Sequence, residues 1–131
     1  MGLRDGLIQW RKYLKSFGHC AITEISWLSG NIPKELSNYW IEAYPKIRTI
    51  EENLKIIKEI GYKNINHFTI PESSWWANYY NPIKKKLKLL VEKYKNQPKA
   101  MEIINAEKLE MEMYRKYSKY YGYVFYIMQK Y

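Results

Sequence analysis

Apolar and polar residues alternate along the chain at two spacings, which predict helices interleaved with strands. Four apolar residues at helical steps place one hydrophobic face on the first segment: Leu3, Leu7, Trp10 and Leu14. Gly18 lies where this helix would stop, and His19–Trp27 follows as a strand. The strand is almost continuously apolar up to Thr23, which is typical of a strand covered on both faces. The chain therefore opens with a helix and a buried strand.

A second helix, a third helix and a second strand continue this alternation. The segment Lys34–Ala43 follows a proline and is predicted to be helical. Thr49 and Glu52 form a capping box, which marks the start of the third helix, and Gly61 can end it. Residues 62–70 then predict a strand that stops at a proline.

The remainder of the chain predicts helices and a closing strand. Asn81 and Pro82 suit the cap and the first turn of one helix. A break at Asn96–Pro98 opens a further helix, which Gly122 is expected to end. The segment Tyr123–Met128 alternates as a final strand with strong β preference.

Three strands among four or five helices predict an α/β fold. We expect a single domain over residues 1–131, with a helical and aromatic insert over about 72–119. An amphipathic helix that feeds a buried strand normally follows an earlier parallel strand across a right-handed crossover. No such strand precedes Leu3, so the first strand is expected to lack a neighbour on one side.

Composition excludes several classes of protein. A chain of 131 residues with 47% hydrophobic residues can bury a core, which argues against wholesale disorder. The single cysteine, Cys20, excludes an internal disulfide and a cysteine zinc cluster, and His19 and His67 are too far apart for a helical metal pair. No uncharged run approaches the ~20 residues of a membrane helix. The expectation is a cytoplasmic protein without a metal site.

The net charge of +9 makes nucleic acid a candidate partner. Lysines concentrate in Lys84–Lys99, where they would form either a phosphate track or a solvated helix face. Only four of the 22 basic residues are arginine, the better residue for bidentate phosphate contacts, so the charge alone is not specific.

Glu24 is the charged residue whose position best suits a chemical role. It lies toward the carboxyl end of the first strand, where open α/β sheets bind their ligands. A carboxylate there could act as a base or orient a substrate donor. It could equally pair with a lysine or cap a neighbouring helix. Trp27 would lie at the rim of the same crevice.

Four large aromatic residues occur within six positions: Trp75, Trp76, Tyr79 and Tyr80. Such a cluster can line a pocket and exclude water from a reaction, or it can form core packing under the helices that follow. The sequence leaves both interpretations open.

Taken together, several motifs occur in a recognisable order: Gly6-Leu7, Trp10-Arg11, Tyr44-Pro45, His67-Phe68-Thr69-Ile70-Pro71, Trp75-Trp76 and Tyr120-Tyr121-Gly122-Tyr123. This order resembles the C-terminal half of a class I S-adenosylmethionine-dependent methyltransferase of the ubiquinone and menaquinone biosynthesis type. The resemblance implies the fifth, sixth and seventh strands of a Rossmann-like sheet, in the order fifth, seventh, sixth, with the seventh antiparallel. It also implies that the insert covers the substrate side.

The cofactor-holding motifs of that family, a glycine-rich loop after the first strand and an acidic residue after the second, have no counterpart here. The resemblance therefore implies S-adenosylmethionine binding only if an N-terminal half completes the fold, and none by this chain alone. A small-molecule acceptor would contact Glu24, as base or orienter, and the aromatic walls Trp27, Trp75, Trp76, Tyr79 and Tyr80.

An unpaired strand edge invites pairing with another chain. We therefore expect the edge of residues 19–27 to join a second copy or a separately encoded N-terminal half. Two alternatives remain: a non-catalytic protein that binds nucleic acid through Lys84–Lys99, and a folded remnant that serves only as an interaction module.

Overall fold

A computed structural model describes residues 1–131, which fall into two compact units: residues 1–70 with 119–131, and residues 71–118. The first unit contains α1 (Leu3–Arg11), β1 (His19–Trp27), α2 (Lys34–Ala43), β2 (Arg48–Thr49), α3 (Ile50–Glu59), β3 (Tyr62–Thr69) and β4 (Tyr121–Lys130). The second contains α4 (Glu72–Trp75), a π-helical turn (Trp76–Tyr80), α5 (Asn81–Tyr94) and α6 (Pro98–Tyr117). None of these helices combines the length and apolar composition that crossing a bilayer requires.

The sheet of the first unit has four strands in the order β2, β1, β4, β3. β4 runs antiparallel to both of its neighbours, and β1 and β2 are parallel. The α/β class is confirmed, and so is the antiparallel placement of the last strand between the other two long ones. The prediction of three strands missed Arg48–Thr49, because two residues are too few to show an alternating pattern.

One face of the sheet is covered by α1 and α3 and holds the core. Leu7 and Ile57 are fully buried there, against alternate residues of β4: Val124, Tyr126 and Met128. Full burial of each such side chain contributes about 1.5–3 kcal/mol. Trp10, expected on the same helical face, is instead 40% exposed, because its ring lies along α1 beside Gly6.

The prediction that β1 is covered on both faces is wrong for most of its length. His19, Ala21 and Thr23 are exposed, and only Ile25 and Ser26 near its carboxyl end are buried. The apolar content of this strand therefore does not reflect two packed faces in this chain. Across the same open side of the sheet, Phe68 of β3 stacks on Phe125 of β4 with ring centroids 5.3 Å apart.

Local signals set both ends of α3. The Thr49 hydroxyl accepts from the Glu52 amide at 3.2 Å, and the Glu52 carboxylate accepts from the Thr49 amide at 2.8 Å, which confirms the capping box. Gly61 follows α3 with a φ of 94°, in the left-handed region that favours glycine. Gly122 does not end a helix. It lies inside β4, where a Cβ would contact Leu28 and Thr69.

The second unit is a run of helical segments from Glu72 to Tyr94, followed by α6. Because the π-helical turn leads directly into α5, Asn81 is helical and does not act as the predicted cap. The break before α6 is confirmed at Pro98, which occupies the first turn of that helix.

Candidate functional site

Glu24 lies on β1 beside a small cavity of about 280 Å³ in the first unit. Its Oε1 accepts a hydrogen bond from the Tyr44 hydroxyl at 2.6 Å. The cavity is lined by residues from the N-terminus, β1, α2 and β4: Met1, Thr23, Glu24, Ile25, Trp40, Tyr44 and Tyr123. The partner of this carboxylate is thus a phenol, rather than a lysine or a helix N-terminus.

Burial is the main influence on the ionisation of this pair. Desolvation raises the pKa of Glu24, while the hydrogen bond from Tyr44 and the nearby charge of Arg48 lower it in part. Burial and the neighbouring carboxylate raise the pKa of Tyr44 well above its usual value. The phenol therefore keeps its proton, and Glu24 is a carboxylate of increased basicity. Such a group can accept a proton or orient a donor.

Two tryptophans of the first unit, Trp27 and Trp40, both meet the ring of Tyr121. Trp27 meets Tyr121 edge to face, with centroids 6.4 Å apart, and the Trp40 ring meets Tyr121 at 5.2 Å. Trp40 is also buried and lines the cavity, and its indole nitrogen has no hydrogen-bond partner. Sequence reasoning missed Trp40 and Tyr44, because a helix face and a residue before proline indicate packing and a helix end rather than chemistry.

A buried polar network holds the strand that carries Glu24. The Tyr126 hydroxyl and Ser26 Oγ are 2.9 Å apart, and the Asn53 amide donates to both oxygens, at 3.0 Å to Ser26 and 3.1 Å to Tyr126. Ser26 and Asn53 are at most 1% exposed, so these bonds are shielded from water. The network joins β1, α3 and β4, and fixes the end of β1 next to Glu24.

The outer edge of β1 is unpaired from His19 to Ile25, because β2 pairs only with Ser26 and Trp27. Bonds from Lys130 N to Gly18 O and from Leu28 N to Tyr120 O show that even-numbered residues bond to β4. The backbone groups of the odd-numbered residues therefore point to the open edge.

The opposite sheet edge, on β3, carries features that discourage pairing with other chains. Lys63 is exposed there, and a register shift between Asn64 and Asn66 interrupts the ladder. The open part of β1 has neither a lysine nor a bulge, and the run from Cys20 to Thr23 is uncharged. The β3 edge is thus protected against pairing with another chain, and the open part of the β1 edge is not.

In the second unit, the four predicted aromatic residues divide into buried and accessible ones. Trp75 and Tyr80 are buried and stack with centroids 5.5 Å apart, and Tyr114 of α6 lies 4.8 Å from Trp75. Trp76 is half-buried, and Tyr79 is 45% exposed. Trp75 and Tyr80 therefore belong to the core of this unit. Trp76 and Tyr79 are accessible enough to line a pocket.

Two glutamates of α6 adjoin this cluster. Glu110 accepts a hydrogen bond from Tyr80 at 3.1 Å, and burial raises its pKa, with a further increase from Glu107. Burial raises the pKa of Tyr114 to about 12, so its phenol stays neutral. Glu24 and Trp27 belong to the first unit and the four aromatic residues to the second, so each group forms its own cluster.

The lysines of Lys84–Lys99 are all exposed. This exposure suits a solvated face and a phosphate track equally, so nucleic-acid binding stays a prediction. Nowhere in the chain do three or more His, Cys, Asp or Glu side chains come together in a way that could hold a metal ion.

No protein-family model and no curated protein matches this chain. Solved structures do. A methyltransferase from Thiobacillus denitrificans, in complex with S-adenosyl-L-homocysteine, matches with a TM-score of 0.70 at 14% identity, over 100% of this chain and 53% of its own. A methyltransferase from Geobacter sulfurreducens with the same ligand gives 0.68 at 16% identity, over 90% of this chain and 48% of its own.

A cyclopropane synthase from Mycobacterium tuberculosis matches with a TM-score of 0.71 at 14% identity, over 98% of this chain and 50% of its own. The chain thus spans about half the length of the structures it matches. At these identities the likeness shows the fold: a partial S-adenosylmethionine-dependent methyltransferase fold. The ubiquinone-type subfamily does not follow from it.

Proposed function

We propose that this chain carries the acceptor-side half of an S-adenosylmethionine-dependent methyltransferase and becomes active when a second chain completes its sheet along β1. The single observation that carries the proposal is the open β1 edge, from His19 to Ile25, which lacks the protection seen on β3. The matched structures are about twice as long as this chain, which supports the same interpretation.

The cofactor does not fit the residues present. The cavity beside Glu24 encloses about 280 Å³, just below the ~300–1,000 Å³ typical of ligand sites. None of the six glycines forms a phosphate or dinucleotide loop. Cofactor binding in this proposal therefore depends on residues from the completing chain, and the present chain contributes groups toward the methyl acceptor.

Within the completed protein, Glu24 would orient or deprotonate a small acceptor molecule. Its raised pKa and its Tyr44 hydrogen bond support that role. Trp27 would lie at the rim of the crevice. In the second unit, Trp76 and Tyr79 would contribute accessible aromatic surface, supported from within by Trp75 and Tyr80. Methyl transfer relies largely on positioning, so no further acid or base is required.

The completing chain is either a separately encoded N-terminal half or, in a non-catalytic assembly, a second copy of this chain. Both would use the same backbone groups of β1. We also propose a cytoplasmic location, because the reducing cytosol keeps a single free cysteine in its thiol form.

A matched pair of threonine variants tests the edge. Thr23 and Thr69 are both exposed strand residues, but Thr23 is on the open edge of β1 and Thr69 is at the end of β3. A lysine on an edge strand discourages pairing. We expect Thr23→Lys to abolish self-association of the purified chain, or capture of a completing chain from the source organism, whereas Thr69→Lys leaves either intact.

The measurement is size-exclusion chromatography with light scattering, together with affinity capture and mass spectrometry. A wild-type chain that is monomeric and captures no chain bearing a glycine-rich cofactor loop would contradict the proposal. So would association that Thr23→Lys and Thr69→Lys reduce equally.

A further inference from the structure

The second unit contains a groove of about 630 Å³ between α5 and α6. On α5 the wall of the groove is formed by four residues at helical spacing, which share one face of the helix: Lys84, Leu87, Lys88 and Val91. On α6 the wall repeats that spacing with Lys108, Met111, Glu112 and Arg115. Trp76 closes the lining.

The groove combines an apolar floor with an excess of positive charge. Leu87 and Met111 are buried, and Trp76 and Val91 are half-buried, so the floor offers a continuous apolar surface. Four cations and two carboxylates line it. Its volume lies within the range of small-molecule sites, and its floor is of the kind that such sites use.

Two of the cations are not neutralised by the protein. Arg115 pairs with Glu112 at 2.7 Å, and Lys84 acts on the same carboxylate. Lys88 and Lys108 take part in no ion pair. The short loop between α5 and α6 makes the helices antiparallel. Lys88 lies one turn from Lys84 and Lys108 one turn from Glu112, on the two walls of the groove.

We propose that this groove binds a single-chain amphiphile with one anionic head group, of the fatty-acid class. The alkyl chain lies on Trp76, Leu87 and Met111, and the head group lies between Lys88 and Lys108. A nucleic acid fits less well, because a phosphate backbone would leave the apolar floor of the groove without a partner. The groove shares Trp76 with the aromatic surface proposed above, and its other lining residues take no part in the proposed methyl transfer.

Isothermal titration of the full chain with decanoate tests this assignment. We expect saturable binding of one decanoate per chain, with butanoate and decyltrimethylammonium binding at least tenfold more weakly, because one lacks the apolar chain and the other the negative head group. Reversing both head-group cations, in Lys88→Glu with Lys108→Glu, should weaken decanoate binding by roughly tenfold or more. Lys85→Glu with Lys86→Glu is the matched control, since both lysines are exposed on α5 outside the groove, and should change affinity less than twofold.

A second variant keeps the test independent of charge. Val91→Trp places a large side chain in the groove from a half-exposed position and should abolish decanoate binding while circular dichroism shows an intact helical protein. Decanoate binding no tighter than that of butanoate would overturn the proposal. The same conclusion would follow if Val91→Trp bound normally, or if the two double variants lost affinity equally.

Discussion

Replacing Tyr126 by phenylalanine removes one hydroxyl from the buried network of Ser26, Asn53 and Tyr126. The ring itself remains, and its site is fully buried, so the packing of β4 against α3 is unchanged. The hydroxyl is within 2.9 Å of Ser26 Oγ and accepts from the Asn53 amide at 3.1 Å. The change therefore isolates the contribution of two hydrogen bonds that join three elements of the first unit.

The expected loss of stability is about 2 kcal/mol, since each buried hydrogen bond contributes about 1 kcal/mol. The Asn53 amide keeps its bond to Ser26 at 3.0 Å, but its second N–H group loses its acceptor, so the loss should not fall below this value. For a chain of this size, about 2 kcal/mol corresponds to a fall in Tm of roughly 8 °C. Against a total stability of about 5–15 kcal/mol, this is a large fraction.

Urea denaturation followed by circular dichroism measures the difference. We expect a lower midpoint with an unchanged slope, which means that the same surface is exposed on unfolding. Tyr13→Phe is the control, because Tyr13 is 86% exposed and its ring lies in solvent. A loss of less than about 0.5 kcal/mol for Tyr126→Phe, equal to that of the control, would refute the network as a stabilising element.

Three further changes follow from single observations. Thr49→Ala removes the capping-box hydroxyl of α3 and should cost about 1 kcal/mol in chemical denaturation, whereas Thr49→Ser should restore most of it. Gly61→Ala places a side chain on a residue whose φ is 94°, and its Cβ would lie 3.0 Å from the Arg11 guanidinium. This change should lower the free energy of unfolding by about 1–2 kcal/mol. A variant as stable as wild type would contradict the strain argument. Because the folded pKa of Glu24 is raised, its ionisation costs stability as the pH rises above the ordinary value of 4.5. Glu24→Gln should therefore gain stability relative to wild type as the pH rises above 4.5, and a difference that does not change with pH would contradict the assignment.

Long periodic segments and local capping signals were predictable from the sequence. The helix Lys34–Ala43, the Thr49–Glu52 box and the left-handed Gly61 all depend on residues close in the chain, and the structure confirms them. The prediction that Gly122 ends a helix is wrong, because a glycine after an amphipathic run indicates a helix end only when its neighbours in space are not considered. Only the partner strands reveal that it lies inside β4.

The candidate site was less predictable, because its contacts join residues distant in sequence. Glu24 could be selected by its place on a strand, but its partner Tyr44 lies in the segment after α2, and no local pattern links the two. The groove between α5 and α6 was equally hidden. Its lysines looked like a solvated face, and the facing stripe on α6 becomes visible only when the two helices are placed together.

The central claim is that the cofactor site of this fold is completed from outside the chain. Calorimetric titration of the purified chain with S-adenosylmethionine tests it most directly, followed by the same titration with the captured completing chain present. We expect no saturable heat for the chain alone and a binding isotherm once the second chain is added. Micromolar binding by the chain alone would contradict the claim.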